Sequence, residues 1–123
     1  MPRILLVEDH PLSAEALRRL VEGKVGCRVT VAFDGMQALS LAQADPPDLV
    51  LLDLGLPGMD GLELARRLRA APATSKVPLV ALTASVDGQD HRDALAAGCT
   101  DVLTKPPEME ILVPRLRALL NLK

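Results

Sequence analysis

Five short runs of strand character alternate with five segments of helical composition, and this alternation limits the fold more than any other feature of the chain. The strand runs are Arg3–Val7, Arg28–Ala32, Leu49–Leu52, Val77–Leu82 and Asp101–Thr104. Between and after them, Leu17, Leu20 and Val21 recur at helical spacing behind Pro11, with Gly23 and Gly26 marking an exit. Met36–Ala44 is helical in composition and closes on Asp45-Pro46-Pro47. Gly61–Ala71 follows a candidate N-cap, Asp60, with Glu63 at the third helical position of a capping box. Asp87–Ala97 ends at Gly98, and Leu112, Leu116, Leu119 and Leu120 mark a last amphipathic helix. Pro114 inside that helix predicts a kink or a late start, because it removes the bond to residue 110. Alternation of this kind implies a parallel sheet with helices on both faces. Right-handed crossovers then carry the C-terminal end of every strand to one edge, where such sheets bind their ligands.

A chain of 123 residues, 49% hydrophobic, is large enough for one domain with a real core, here residues 1–123. Aromatic residues are 1% of it, so the core must be built from Leu, Val, Ile and Ala. A net charge of −2 and a pI near 5.6 argue against direct nucleic-acid binding through bulk positive charge. No apolar run approaches the roughly 18 residues that span a bilayer. The opening MPRILLVEDH turns acidic too soon for a signal peptide. Cys27 and Cys99 are isolated from each other and are expected as reduced thiols without a disulfide. A cytoplasmic location is expected.

The chemistry gathers at the predicted edge. In Asp48–Gly61 (DLVLLDLGLPGMDG) a buried strand ends on Asp53 and runs into a glycine-marked loop. Glu8 and Asp9 follow the first strand, Thr83 ends the fourth and Lys105 follows the fifth. Three carboxylates crowded together repel and raise at least one pKa unless a cation sits among them. A hard divalent ion such as Mg²⁺ suits oxygen ligands and also shares the oxygens of a phosphoryl group. A nucleophilic aspartate, a metal, a lysine and a hydroxyl donor together suit phosphoryl transfer onto a carboxylate. His10 is expected as a loop or cap residue, His91 as solvated, and Arg66, Arg67 and Arg69 as a solvated helix face.

These pieces resemble the receiver domain of two-component response regulators, of the chemotaxis-regulator type, from about Arg3 to Leu120. The resemblance rests on VEDH (Val7–His10), LLDLGLPGMDG (Leu51–Gly61), ALTAS (Ala81–Ser85) and AGCTDVLTKP (Ala97–Pro106), in that order at strand ends. It implies a flavodoxin-like (βα)₅ fold, an α/β doubly wound parallel sheet of five strands in the order 2-1-3-4-5. It further implies Asp53 as phosphoacceptor, with Asp9, Asp53 and the backbone carbonyl of Gly55 on Mg²⁺ and Glu8 acting through water. Thr83 would be the switch hydroxyl and Lys105 the phosphoryl contact, with a cis bond at Lys105-Pro106. The implied donor is a histidine kinase or a histidine phosphotransfer protein. The implied output is a downstream protein engaged through the fourth helix, fifth strand and fifth helix. Catalysis would extend only to the chain's own phosphorylation and dephosphorylation.

Two departures stand out. Val102 occupies a place where the family usually has Tyr or Phe, so there is no ring to move inward with Thr83. Gly55 and Ser85, positions that tune phosphoryl lifetime in the family, are both small, which predicts moderately fast self-dephosphorylation. Three other functions compete. A Mg²⁺-dependent phosphatase of the haloacid-dehalogenase kind needs a second Asp where Gly55 stands, and a cap insertion. A flavin binder would not carry Glu-Asp-His-Pro in its phosphate loop. A phosphorylation-independent pseudo-receiver used for docking would not need the acids, Thr83 and Lys105 all present. No output module follows Leu120, which fits either a stand-alone regulator or a receiver from a longer chain.

Overall fold

The computed structural model describes residues 1–56, 58–85 and 88–122. Its elements follow the sequence alternation: β1 (Arg3–Val7), α1 (Pro11–Val21), β2 (Arg28–Ala32), α2 (Gly35–Ala44), β3 (Leu49–Asp53), α3 (Gly61–Ala70), β4 (Leu79–Thr83), α4 (Gly88–Ala96), β5 (Asp101–Thr104) and α5 (Met109–Leu119). All neighbouring strands pair in parallel, in the order β2-β1-β3-β4-β5. The expected doubly wound sheet is therefore the observed one.

The strand sequences explain this order. β3 and β4 are apolar on both faces and lie inside the sheet, while β2, with its alternating exposure, takes an edge. Alternate strand residues feed two cores. One, around Leu5, Val7, Leu52, Leu64, Leu68 and Leu79, packs under α2, α3 and α4. The other, around Ile4, Leu6, Leu49, Leu51, Leu112 and Leu116, packs under α1 and α5.

Local signals set most helix starts. Pro11 occupies the first turn of α1, and the His10 ring accepts the Ser13 N–H, so His10 is a cap as expected. Asp34 caps α2 through Gln37 N–H at 2.7 Å, and Gln37 Oε1 returns to Phe33 N–H at 2.7 Å. Asp60 accepts Glu63 N–H at 2.8 Å, confirming that cap. The reciprocal half is absent, because the Glu63 carboxylate turns to Arg66 and Arg67.

Four sequence expectations need correction. Gly23 does not end the first helix, which runs on as a π-helical turn over Glu22–Gly26 until Gly26, at φ +81°, closes it. Long-range bonds hold that extra turn: Glu22 accepts Val29 N–H at 2.9 Å, and Arg117 donates to the Val25 carbonyl at 2.6 Å. β4 begins at Leu79, later than expected, because Pro78 has no N–H for the ladder, although its carbonyl still accepts Val50 N–H. α5 starts early, at Met109, and runs through Pro114, since fully buried Leu112 and Leu116 anchor it on both sides of the proline. The fourth correction is Arg69, which is no part of a solvated face. Its guanidinium donates to the carbonyls of Val77 (2.6 Å), Gly98 (2.8 Å), Ser75 (3.1 Å) and Thr74 (3.3 Å), tying α3 to the turns before β4 and after α4. Arg66 and Arg67 remain exposed. The expected start of the fourth helix at Asp87 lies outside the described residues, while Gly98, at φ +109°, ends that helix as expected.

Gly61 is fixed by close approach: a Cβ there would lie 2.6 Å from Leu54 Cα and 2.7 Å from the Asp53 carbonyl oxygen, both backbone atoms. Gly23 has open space around it and no positive φ. Gly61→Ala should therefore destabilise the fold by about 1–3 kcal/mol in urea unfolding, whereas Gly23→Ala should be neutral or stabilising by up to about 1 kcal/mol.

Candidate functional site

Parallel pairing of the strands brings four distant segments to the C-terminal edge of the sheet. β1 delivers Glu8 and Asp9, β3 ends on Asp53, β4 ends on Thr83, and Lys105 follows β5. Glu8, Asp9 and Asp53 each offer a carboxylate oxygen within 4.8 Å of the others. Glu8 is 5% exposed, Asp53 is half-buried and Asp9 faces solvent. Every residue expected at this edge is there.

One cation holds the acids together. Lys105 Nζ donates to Glu8 Oε1 at 3.0 Å and to Asp53 Oδ2 at 2.9 Å. The other Asp53 oxygen accepts Gly55 N–H at 2.9 Å, and this short loop bond fixes the carboxylate's orientation. Thr83 is buried, and its Oγ1 accepts Ser85 N–H at 3.1 Å, which leaves the hydroxyl proton to donate elsewhere. The Lys105-Pro106 peptide bond is cis.

Burial is the largest influence on all three linked groups, and it is answered differently in each. Glu8 is pushed above the ordinary glutamate value by burial and by its hydrogen bond to Asp53, against the pull of Lys105. Burial pushes Asp53 in the same direction, but the Gly55 N–H and Lys105 outweigh it and hold that carboxyl below its ordinary value. Burial would lower Lys105, yet its two carboxylate partners keep it raised. Four charged groups thus stand with one positive against three negative. That donor set, all hard oxygens with Asp9 unpaired among the described residues, fits a divalent cation such as Mg²⁺.

A cleft of about 500 Å³ opens beside Asp53 and Thr83. Its walls include Lys105 and Gly55 from the expected set, and also Asp60, Leu62, Ala84 and Asp90, which the sequence pattern does not mark as site residues. Asp60, a cap by its sequence position, both caps α3 and lines the cleft. Asp90 had no sequence signal beyond its place in the first turn of α4, because that helix's packing decides which way it faces. Val102, at the position of the family's aromatic residue, is buried with Ala81, Ala94, Ala97 and Cys99. Cys27 and Cys99 are both buried and unpaired, and burial pushes the Cys99 thiol up to about 11. His91 is half-buried and not freely solvated as expected. Among the described residues no helix is long and apolar enough to cross a membrane.

A five-stranded parallel sheet with an acidic trio, a lysine and a threonine at one edge is the frame of a receiver domain. The profile of the response regulator receiver domain matches residues 4–117, and the chain belongs to that family, the receivers of two-component signalling. It is 42% identical over 125 residues to the response regulator PleD of Caulobacter vibrioides, covering 98% of this chain and 26% of that protein. It is 46% identical over 119 residues to the DNA-binding response regulator MtrA of Mycolicibacterium smegmatis, covering 97% of this chain and 50% of MtrA. The chain thus spans a quarter to a half of the length of these relatives. Among solved structures it is similar to the receiver domain of a signal transduction histidine kinase from Syntrophus aciditrophicus (TM-score 0.90, 32% identity, 98% and 91% of the two chains). It is likewise similar to the receiver domain of a sensor histidine kinase from Pseudomonas aeruginosa (TM-score 0.87, 35% identity, 98% of each chain), in which a magnesium ion is coordinated in the active site cleft.

The raised Glu8 gives a stability test on the metal-free protein. A carboxyl with a raised folded pKa stabilises the fold below the ordinary glutamate value, and that contribution is lost as pH rises through the folded value. The opposite contribution of Asp53 is lost only as pH falls through its lowered value, so the two windows are separate. Glu8→Gln should therefore flatten the decline in stability between weakly acidic and neutral pH, measured by urea unfolding in the presence of a chelator. An unchanged slope would show that Glu8 titrates as an ordinary glutamate.

Proposed function

We propose that this chain is a phosphorylation-controlled signalling switch that accepts a phosphoryl group on Asp53. The observation that carries the reading is the arrangement of Asp53 itself. One oxygen is fixed by Gly55 N–H, the other is paired with Lys105, and the carboxyl lies beside a cleft reached by the Thr83 hydroxyl. Asp9 and Asp53, with the Gly55 carbonyl and with Glu8 acting through water, would hold Mg²⁺, which supplies positive charge against the phosphoryl oxygens.

In the forward step an Asp53 oxygen lone pair forms the new P–O bond. The bond from phosphorus to the donor breaks, and its electron pair leaves with the donor nitrogen of a phosphohistidine, or with acetate when acetyl phosphate is the donor. Lys105 follows the transferred charge, and the Thr83 hydroxyl donates to a phosphoryl oxygen. Water attack on phosphorus reverses the modification, releasing inorganic phosphate and the free carboxylate. On this reading the chain acts only on itself and is no enzyme of metabolites. A histidine kinase or histidine phosphotransfer protein is the donor. Output passes to a protein partner through the α4-β5-α5 face, where Leu95 and Ile111 are exposed. A cytoplasmic location follows from those partners.

Incubation with acetyl phosphate and Mg²⁺ should add one phosphoryl group by intact mass, removable by hydroxylamine, while Asp53→Asn stays unlabelled. Lys105→Ala should slow labelling by about 10²-fold or more, and Asp9→Asn should weaken Mg²⁺ binding by at least about tenfold. A parent protein left unmodified in excess Mg²⁺, or an equally labelled Asp53→Asn, would end the proposal. With small residues at Gly55 and Ser85, water reaches the phosphoryl group, so the labelled protein should decay within minutes. A lifetime of many hours would contradict open access.

A further inference from the structure

The charges along the route to Asp53 are unbalanced. Asp60 stands at the start of α3 and Asp90 in the first turn of α4, and both line the cleft that opens beside Asp53. Lys105 is the one cation among the described residues lining it, and its Nζ is already engaged by Glu8 and Asp53. Arg92, one helical turn on from Gly88, donates to Gln89 of its own helix and does not line the cleft. Part of the Asp60 charge is engaged as well, since it accepts Glu63 N–H at 2.8 Å. Asp90 is half-buried, and its carboxylate makes no such bond among the described residues. Gly55, Ala84 and Ser85 on the cleft wall are small and offer little steric selection, and Leu54 and Leu62 complete the wall without charge. Charge is what remains to discriminate.

We propose that Asp90 is a specificity-determining residue of the cleft, repelling small dianionic phosphodonors and so favouring phosphoryl groups delivered on a protein-borne histidine. The proposal rests on the reading of Asp53 as phosphoacceptor. A small donor diffuses in with only its own charge and a few contacts, so a nearby carboxylate acts directly on its encounter rate. A donor protein brings an interface whose contacts offset the same repulsion. The effect of one partly solvated charge is modest and screened by salt.

The test compares two small donors on the same protein. Acetyl phosphate enters as a dianion, and phosphoramidate, with its protonated nitrogen, carries less net negative charge. Asp90→Asn should raise the initial labelling rate with acetyl phosphate by roughly two- to fivefold, raise that with phosphoramidate less, and lose the difference at high salt. Asp90→Glu, which keeps the charge at the helix start, should retain the parent's donor ratio. Asp93→Asn makes the same change in net charge on α4 away from the cleft, and it should leave the ratio unchanged. An unchanged donor ratio in Asp90→Asn, equal acceleration with both donors, or the same gain in Asp93→Asn would overturn the proposal. If the parent is labelled by neither donor, the phosphoacceptor reading itself fails, a result distinct from a labelled parent with an indifferent Asp90.

Discussion

Parallel pairing buried on both faces is the constraint from which the rest follows. Because β1, β3, β4 and β5 run the same way and each is crossed over by a helix, their C-terminal ends cannot scatter. Side chains as far apart in sequence as Glu8 and Lys105 then meet at 3.0 Å. The two apolar layers below them, almost wholly aliphatic, supply the burial that keeps the strands in register. The sheet also fixes the dielectric setting of the site. Apolar strand interiors end just beneath the carboxylates, so burial is the first influence on Glu8, Asp53 and Lys105 alike.

At that edge the protein holds a costly arrangement together with few resources. Three acids lie within 4.8 Å, and one lysine bridges two of them. Such a group of hard oxygen donors suits a divalent cation. The Gly55 N–H and the Gly61 close approach show how the β3–α3 connection is built to serve it. One orients the carboxylate, and the other lets the helix begin directly against the strand end. Val102 adds a family-specific departure. A buried aliphatic residue stands there, in one core with Ala94 and Ala97, and it has no ring to rotate.

Much of this was legible in the sequence because its causes are local. Period-two and period-3.6 patterns report which face is buried, and caps such as Asp34 and Asp60 act within three residues of their own position. The acids and the lysine could be placed because strand ends in a parallel sheet share an edge. What escaped had causes elsewhere. Arg69 looked like one of three surface arginines, yet its partners lie up to 31 residues away. The extra turn after α1 persists past Gly23 because Glu22 and Arg117 reach β2 and the turn itself.

The sequence by itself determined the fold class, the strand-end chemistry and the identity of the groups that gather there, because burial periodicity and residue type are written along the chain. Only the tertiary structure decided which of two like residues does what. Glu8 and Asp53, both acids, are shifted in opposite directions, since one is answered by a backbone N–H and the other is buried without it. Asp60, Asp90 and Asp93 differ in whether they face the cleft, and that depends on how two helices seat on the sheet. Charge environment and orientation are sums over neighbours from every segment, and no local pattern encodes such a sum.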